Sequence, residues 1–194
     1  MNIPRSTLPR VRPLSKLLTA NVLINTTIVN PPFLYGRYVI QPGDGPDTRG
    51  SNNIIYQLIA RESTLPPPST VLYCNVRDAA RAHLLALELP KLAPNADVRD
   101  KRFLVAAPTH ESTSWPGMVQ RLAARRPDLK HRLPKLDNAP TPPGTLSTND
   151  STRAREVLGL TEYVGWEETV DETIAALLQL EEKWKQNPRD TRDA

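Results

Sequence analysis

The chain has one cysteine, Cys74, in 194 residues. That excludes an intramolecular disulfide framework and any zinc site built from four thiolates. Glycine is scarce as well, with 8 residues at positions 36, 43, 45, 50, 117, 144, 159 and 165. A phosphate-cradling Gly-x-Gly-x-x-Gly turn needs closely spaced glycines so that backbone can approach a pyrophosphate. Gly43 and Gly45 have the first spacing, but residue 48 is Thr and no strand directly precedes them. No Gly-Lys pair exists for a P-loop, and no Gly-x-Ser-x-Gly elbow for a serine hydrolase. Aromatics number only 10. No apolar run approaches the roughly 20 residues that span a bilayer.

Proline, by contrast, is abundant, with 20 residues that break the chain into short elements. Charge is uneven. Residues 1–43 hold Arg5, Arg10, Arg12, Lys16 and Arg37 with no acid, so this stretch is +5 in a chain of net +4. A basic, acid-free start suggests a transit peptide, but Pro4, Pro9 and Pro13 would break the amphipathic helix such a peptide needs. Residues 1–20 therefore read as an irregular basic arm and the chain as cytoplasmic. No aromatic residue accompanies those cations to stack on a base, which argues against nucleic acid as a partner.

Periodicity then lays out the elements. Residues 22–29 form an apolar, β-branched run ended by Asn30-Pro31-Pro32, the pattern of a buried parallel strand. Ser51 is placed to cap a helix through about Arg61. Residues 70–76 read as a second strand, and Asp78 as the cap of an Ala/Leu-rich helix from Ala79 to Leu89, mostly buried. Residues 102–107 read as a third strand and 115–124 as a third helix. Asp150 or Ser151 caps a helix stopped by Gly159, and a last helix covers 167–184. Strands alternating with helices indicate an α/β domain. Three strands are few for a self-sufficient sheet, so the sequence reads as part of a larger α/β protein.

Single side chains offer little chemistry. His83, His110 and His131 are far apart and lack a second ligand at i+3 or i+4, so no metal site is expected. His83 reads as a helix-face residue and the other two as loop residues. Cys74 sits in a β-branched run and reads as a small buried hydrophobe.

Several phrases occur in a distinctive order. Thr26-Thr-Ile-Val-Asn-Pro-Pro-Phe-Leu-Tyr-Gly36, Asn75-Val-Arg-Asp-Ala-Ala-Arg-Ala-His-Leu-Leu-Ala-Leu87, Lys101-Arg-Phe-Leu-Val, Asp150 to Leu160 and Trp166 to Thr173 follow one another along the chain. Together they resemble the extended short-chain dehydrogenase/reductases, in the dihydroflavonol reductase, methylglyoxal reductase and fungal ketoreductase branch. The resemblance covers about residues 22–185. It implies a Rossmann-type α/β fold of which this chain carries the carboxy-terminal part, a late sheet strand plus a small substrate lobe. The expected organisation is a basic arm (1–20), the reductase region (21–186) and a polar tail (187–194).

The resemblance also implies hydride transfer between NADPH (the cofactor NADP in its reduced form) and a small-molecule carbonyl, without a metal. In the family a tyrosine protonates the carbonyl oxygen, and a lysine four residues on lowers its pKa. Here the tyrosines are 35, 38, 56, 73 and 163, followed four residues on by Val39, Pro42, Ala60, Arg77 and Glu167. None is lysine, so no catalytic residue is assigned. Asn30, Pro31 and Pro32 would line the nicotinamide, with Ser51 approaching the cofactor and Tyr35 the substrate. Asn30-Pro31-Pro32 reads equally as a strand terminator, Ser51 as a helix cap and Tyr35 as a packing residue. Arg77 and Asp78 read as fixing a strand-to-helix corner. The alternative to a reductase is a catalytically inactive remnant that associates with itself or a partner through an exposed sheet edge.

Overall fold

The computed structural model describes residues 26–40, 49–60, 63–67, 71–93, 96–109, 114–137 and 149–186. The basic arm, the polar tail, His110, Arg61 and the amino-terminal half of the 22–29 run lie outside them.

Four short strands are described: β1 (Ile28–Asn30), β2 (Phe33–Tyr35), β3 (Tyr73–Asn75) and β4 (Arg102–Leu104). Five helices accompany them: α1 (Asn52–Tyr56), α2 (Val76–Glu88), α3 (Trp115–Arg125), α4 (Thr152–Glu156) and α5 (Trp166–Gln186). Turns of 3₁₀ helix lie at Val98–Lys101 and Pro127–Arg132. His131 is therefore helical rather than in a loop.

Both strand pairs among the described residues are parallel. β1 pairs with β4, setting Val29 opposite Phe103, and β2 pairs with β3, setting Leu34 opposite Cys74. Pro31 and Pro32 interrupt the first ladder as expected, because proline has no N–H to give. They do not end the extended chain, which resumes as β2 and crosses to a different partner. That strand is missed by a reading that takes Asn-Pro-Pro as a terminator. Beyond β4 the ladder thins rather than stops: Val105 donates its N–H to Asn30 O at 3.0 Å and Ala107 to Tyr73 O at 2.9 Å.

Successive strand residues point to opposite faces, and two cores result. Tyr35, Tyr73 and Ala107 join Ile55, Leu58, Ile59, Trp115, Trp166 and Val170. Cys74, Phe103 and Val105 join the alanines of α2 with Ala154, Leu158 and Leu160. Cys74 is buried, as its β-branched context predicts.

Four local expectations are corrected. The cap of α2 is Asn75, whose side chain accepts from Arg77 N at 2.9 Å, so the helix starts at Val76 and Asp78 lies inside its first turn. Ser51 makes no side-chain cap bond to α1; its hydroxyl donates to the Leu34 carbonyl of β2. α1 spans only five residues rather than reaching Arg61, although Ile55, Leu58 and Ile59 are buried as their spacing requires. Helix α2 is not mostly buried: Leu84 and Leu87 are 64% and 81% exposed. Its buried face carries Asp78, Ala79, Ala82 and Ala86, and the leucines project from the other side. The Gly159 stop holds. Gly159 has φ +71°, a left-handed conformation that glycine adopts without strain, and just beyond it Leu160 N donates back to Ala154 O at 3.1 Å.

Candidate functional site

In open α/β sheets, ligands lie beyond the carboxyl ends of the strands. At the end of β1, Asn30 is exposed and Pro31 and Pro32 are half-buried, followed by an exposed Phe33. Phe33 is held flat: its ring stacks on Tyr35 at 6.3 Å and 19°. Tyr35 itself is buried, with an edge contact to Trp166 at 5.9 Å. Ser51, bonded to the Leu34 carbonyl, meets the same strand from α1. The structure thus gathers Asn30, Pro31, Pro32, Tyr35 and Ser51 along the β1–β2 segment, with Tyr35 facing inward.

The carboxyl ends of β2 and β3 form a second feature. Gly36 follows β2 with φ +137°, and a Cβ there would lie 2.3 Å from the Val76 Cγ1. The buried Asn52 side chain holds Gly36 at both ends, donating to Gly36 O at 2.9 Å and accepting from Gly36 N at 3.3 Å. Asn75, at the end of β3, donates to Thr169 Oγ1 at 3.1 Å and to Glu172 Oε1. Around this corner an open groove of about 500 Å³ is lined by Arg37, Arg77, Arg121, Arg125 and four acids of α5.

Apart from Arg125, its charges are paired. Arg77 reaches Glu168 at 2.6 Å and Glu172 at 3.2 Å, Arg37 reaches Glu172 at 3.6 Å, and Arg121 reaches Glu167 at 2.7 Å and Asp171 at 3.4 Å. Such a network orients helix α5 but leaves no free base or nucleophile, and each exposed pair adds at most about 1 kcal/mol. The acids recur at i, i+1, i+4 and i+5 on α5, which is the one sequence signal that marks this groove. Among the described residues no three His, Cys, Asp or Glu side chains converge on a metal position. No helix there is long and apolar enough to cross a membrane.

No described tyrosine is tuned as a proton donor. Burial raises Tyr35 above the ordinary phenol range and pushes Tyr73 up to about 12, with Asp78 and Cys74 adding to the latter. The Tyr73 hydroxyl donates to Val164 O at 3.3 Å. Tyr73 with Arg77, the nearest sequence echo of a Tyr-x-x-x-Lys pair, is thus a core phenol beside a surface cation. Arg77 and Asp78 do fix the corner. Arg77 ties it to α5, and Asp78, fully buried, accepts from Val164 N at 2.9 Å and from Arg81 at 2.8 Å.

No family model matches the chain. The ketoreductase azaE of Aspergillus niger is 30% identical over 136 residues, covering 69% of this chain and 38% of that protein. The fold is similar to that of Gre2 from Candida albicans in complex with NADPH, with TM-score 0.58 and 24% identity over 86% of this chain and 48% of that one. It is also similar to vestitone reductase from alfalfa, Medicago sativa, with TM-score 0.54 and 19% identity over 80% and 45% of the two chains. The chain spans less than half the length of the relatives it matches. These likenesses bear out the resemblance to the extended short-chain reductases, and the α/β architecture is that of the carboxy-terminal portion of a Rossmann-type reductase.

Proposed function

We propose that these residues are the substrate-side portion of an NADPH-dependent reductase of small ketones or aldehydes, and that the 194 residues alone do not transfer hydride. The observation that carries this is the β1–β2 segment, where Asn30, Pro31 and Pro32 stand at the carboxyl end of a parallel strand. That is where a nicotinamide lies in folds of this type. NADPH, when bound, would supply the hydride.

The residues present fit one edge of a nicotinamide. Pro31 and Pro32 offer a rigid apolar border without N–H groups, Asn30 a polar one. Ser51 braces the segment through the Leu34 carbonyl. Tyr35 serves the substrate side as the support on which Phe33 stacks. The residues do not fit a pyrophosphate, for the sequence contains no glycine-rich turn between a strand and a helix. Nor does any tyrosine have a lysine four residues on. The lone buried thiol suits a reducing compartment, and we place the protein in the cytoplasm.

The test mixes the purified chain with millimolar NADPH and a panel of aldehydes and ketones, following dihydronicotinamide fluorescence and absorbance. We expect no turnover. Stoichiometric NADPH oxidation by this chain alone would overturn the proposal.

A further inference from the structure

Helix α2 carries an apolar stripe on the side away from its core. Asp78, Ala79, Ala82 and Ala86 form the buried face. Ala80, Leu84 and Leu87 follow at i, i+4 and i+7 along the opposite one. Leu84 is 64% exposed and Leu87 81%, and neither joins either core. Single exposed leucines are ordinary, but two on adjacent turns of one helix form a patch.

Charge is ordered along the same helix. Arg81 and Glu88 are seven residues apart and therefore share one flank of the stripe. Arg81 bonds Asp78 at 2.8 Å and the Glu162 carbonyl, both through a single terminal nitrogen, and its side chain stays 47% exposed. A guanidinium has five N–H donors, so it can take a further carboxylate. Glu88 is exposed and enters no ion pair among the described residues.

We propose that this stripe is a homodimer surface, on which a second copy of this chain docks by antiparallel pairing of the two α2 helices. A two-fold contact sets a patch against itself. With Leu84 at the axis, it meets Leu84 of the second copy. Leu87 falls over Ala80 of the second copy, a large side chain over a small one. Glu88 reaches Arg81 of the second copy on the flank that the two helices share. The midpoints of 80 and 87 and of 81 and 88 lie half a residue either side of 84, so one axis satisfies all three pairings. A parallel pair would instead set Arg81 beside Arg81 and Glu88 beside Glu88. A partner helix of one charge sign would be repelled at one end of the stripe. One helix pair buries little area, which places the dimer in the weak class.

The test follows the full 194-residue chain by sedimentation velocity up to about 100 μM, a range that captures weak dimers. Leu84→Lys and Leu87→Lys put a charge into the stripe, and Glu88→Lys opposes Arg81 of the second copy. Val39→Lys, 91% exposed on the segment after β2, is the control. Circular dichroism verifies that each variant folds. Wild type and the Val39 variant should dimerise, with the dissociation constant raised at least about tenfold by either leucine variant. Glu88→Lys should raise it about threefold at low salt. A second readout fixes the register: Leu84→Cys should oxidise to a disulfide-linked dimer and Val39→Cys should not, since the buried Cys74 does not compete. A monomer throughout that range, or a dimer indifferent to the leucine variants, overturns the proposal. So do cross-linking that is equal at positions 39 and 84, a dimer that Glu88→Lys leaves unchanged, and assembly that continues past two copies.

Discussion

The carboxylate of Asp78 accepts a hydrogen bond from the backbone N–H of Val164 at 2.9 Å, joining the first turn of α2 to the loop before α5 across 86 residues of sequence. Arg81 supplies the second contact at 2.8 Å. Burial raises the Asp78 pKa above the ordinary carboxylate value, while the Val164 N–H and Arg81 pull it back.

Removing that carboxylate leaves the part-buried Val164 N–H without its partner. We expect Asp78→Ala to lower stability by about 2–3 kcal/mol, read by urea unfolding. A loss within experimental error would show that the corner does not depend on this bond.

The same group gives a pH signature. With its folded pKa above the unfolded 3.8, the native state holds the proton longer than the unfolded chain. The Asp78 contribution therefore makes stability fall as pH rises from the unfolded value through the folded one, and is flat above it. Asp78→Asn should remove that slope; urea midpoints across the acidic range compare the two proteins. Identical slopes would refute the shift.

Gly36→Ala should destabilise for two separable reasons. The φ of +137° strains any side chain, by about 1–3 kcal/mol, and the new Cβ meets Val76 Cγ1 at 2.3 Å. Adding Val76→Ala should relieve the clash but not the strain, so the double variant recovers only part of the loss. Full recovery would mean that the backbone conformation is not held in solution.

Asn75→Ala removes the α2 cap and the link to Thr169 and Glu172 together. We expect a loss of about 2 kcal/mol, and a smaller one for Asn75→Ser, which keeps a capping oxygen. Equal losses for both would place the energy in the α5 link rather than the cap.

Cys74 should be inert in the folded protein. Burial pushes its thiol up to about 12, with Asp78 adding to the effect. At about pH 8 only about one thiol in ten thousand is then ionised. Alkylation should proceed only in denaturant; rapid labelling of the native chain would contradict this.

Amino-acid order by itself marked where the helices lie, the parallel α/β character and the lack of a Gly-x-Gly-x-x-Gly motif. Helix α5 follows from apolar spacing, and its buried Val170, Ile174 and Leu177 lie where a period of 3.6 residues puts them. The Gly159 stop and the burial of Cys74 are likewise local. The likeness to reductases was legible because its phrases sit on such elements. Tertiary structure alone decided that Pro31 and Pro32 pass the chain from one ladder to another, that Asn75 rather than Asp78 caps α2, and that Ser51 turns back to β2. It also set Leu84 and Leu87 outward and left Ile28 partly exposed. The reason is physical: a helix is specified by neighbours within one turn, whereas a strand's partner, a cap's register and the covering of an apolar face depend on groups tens of residues away.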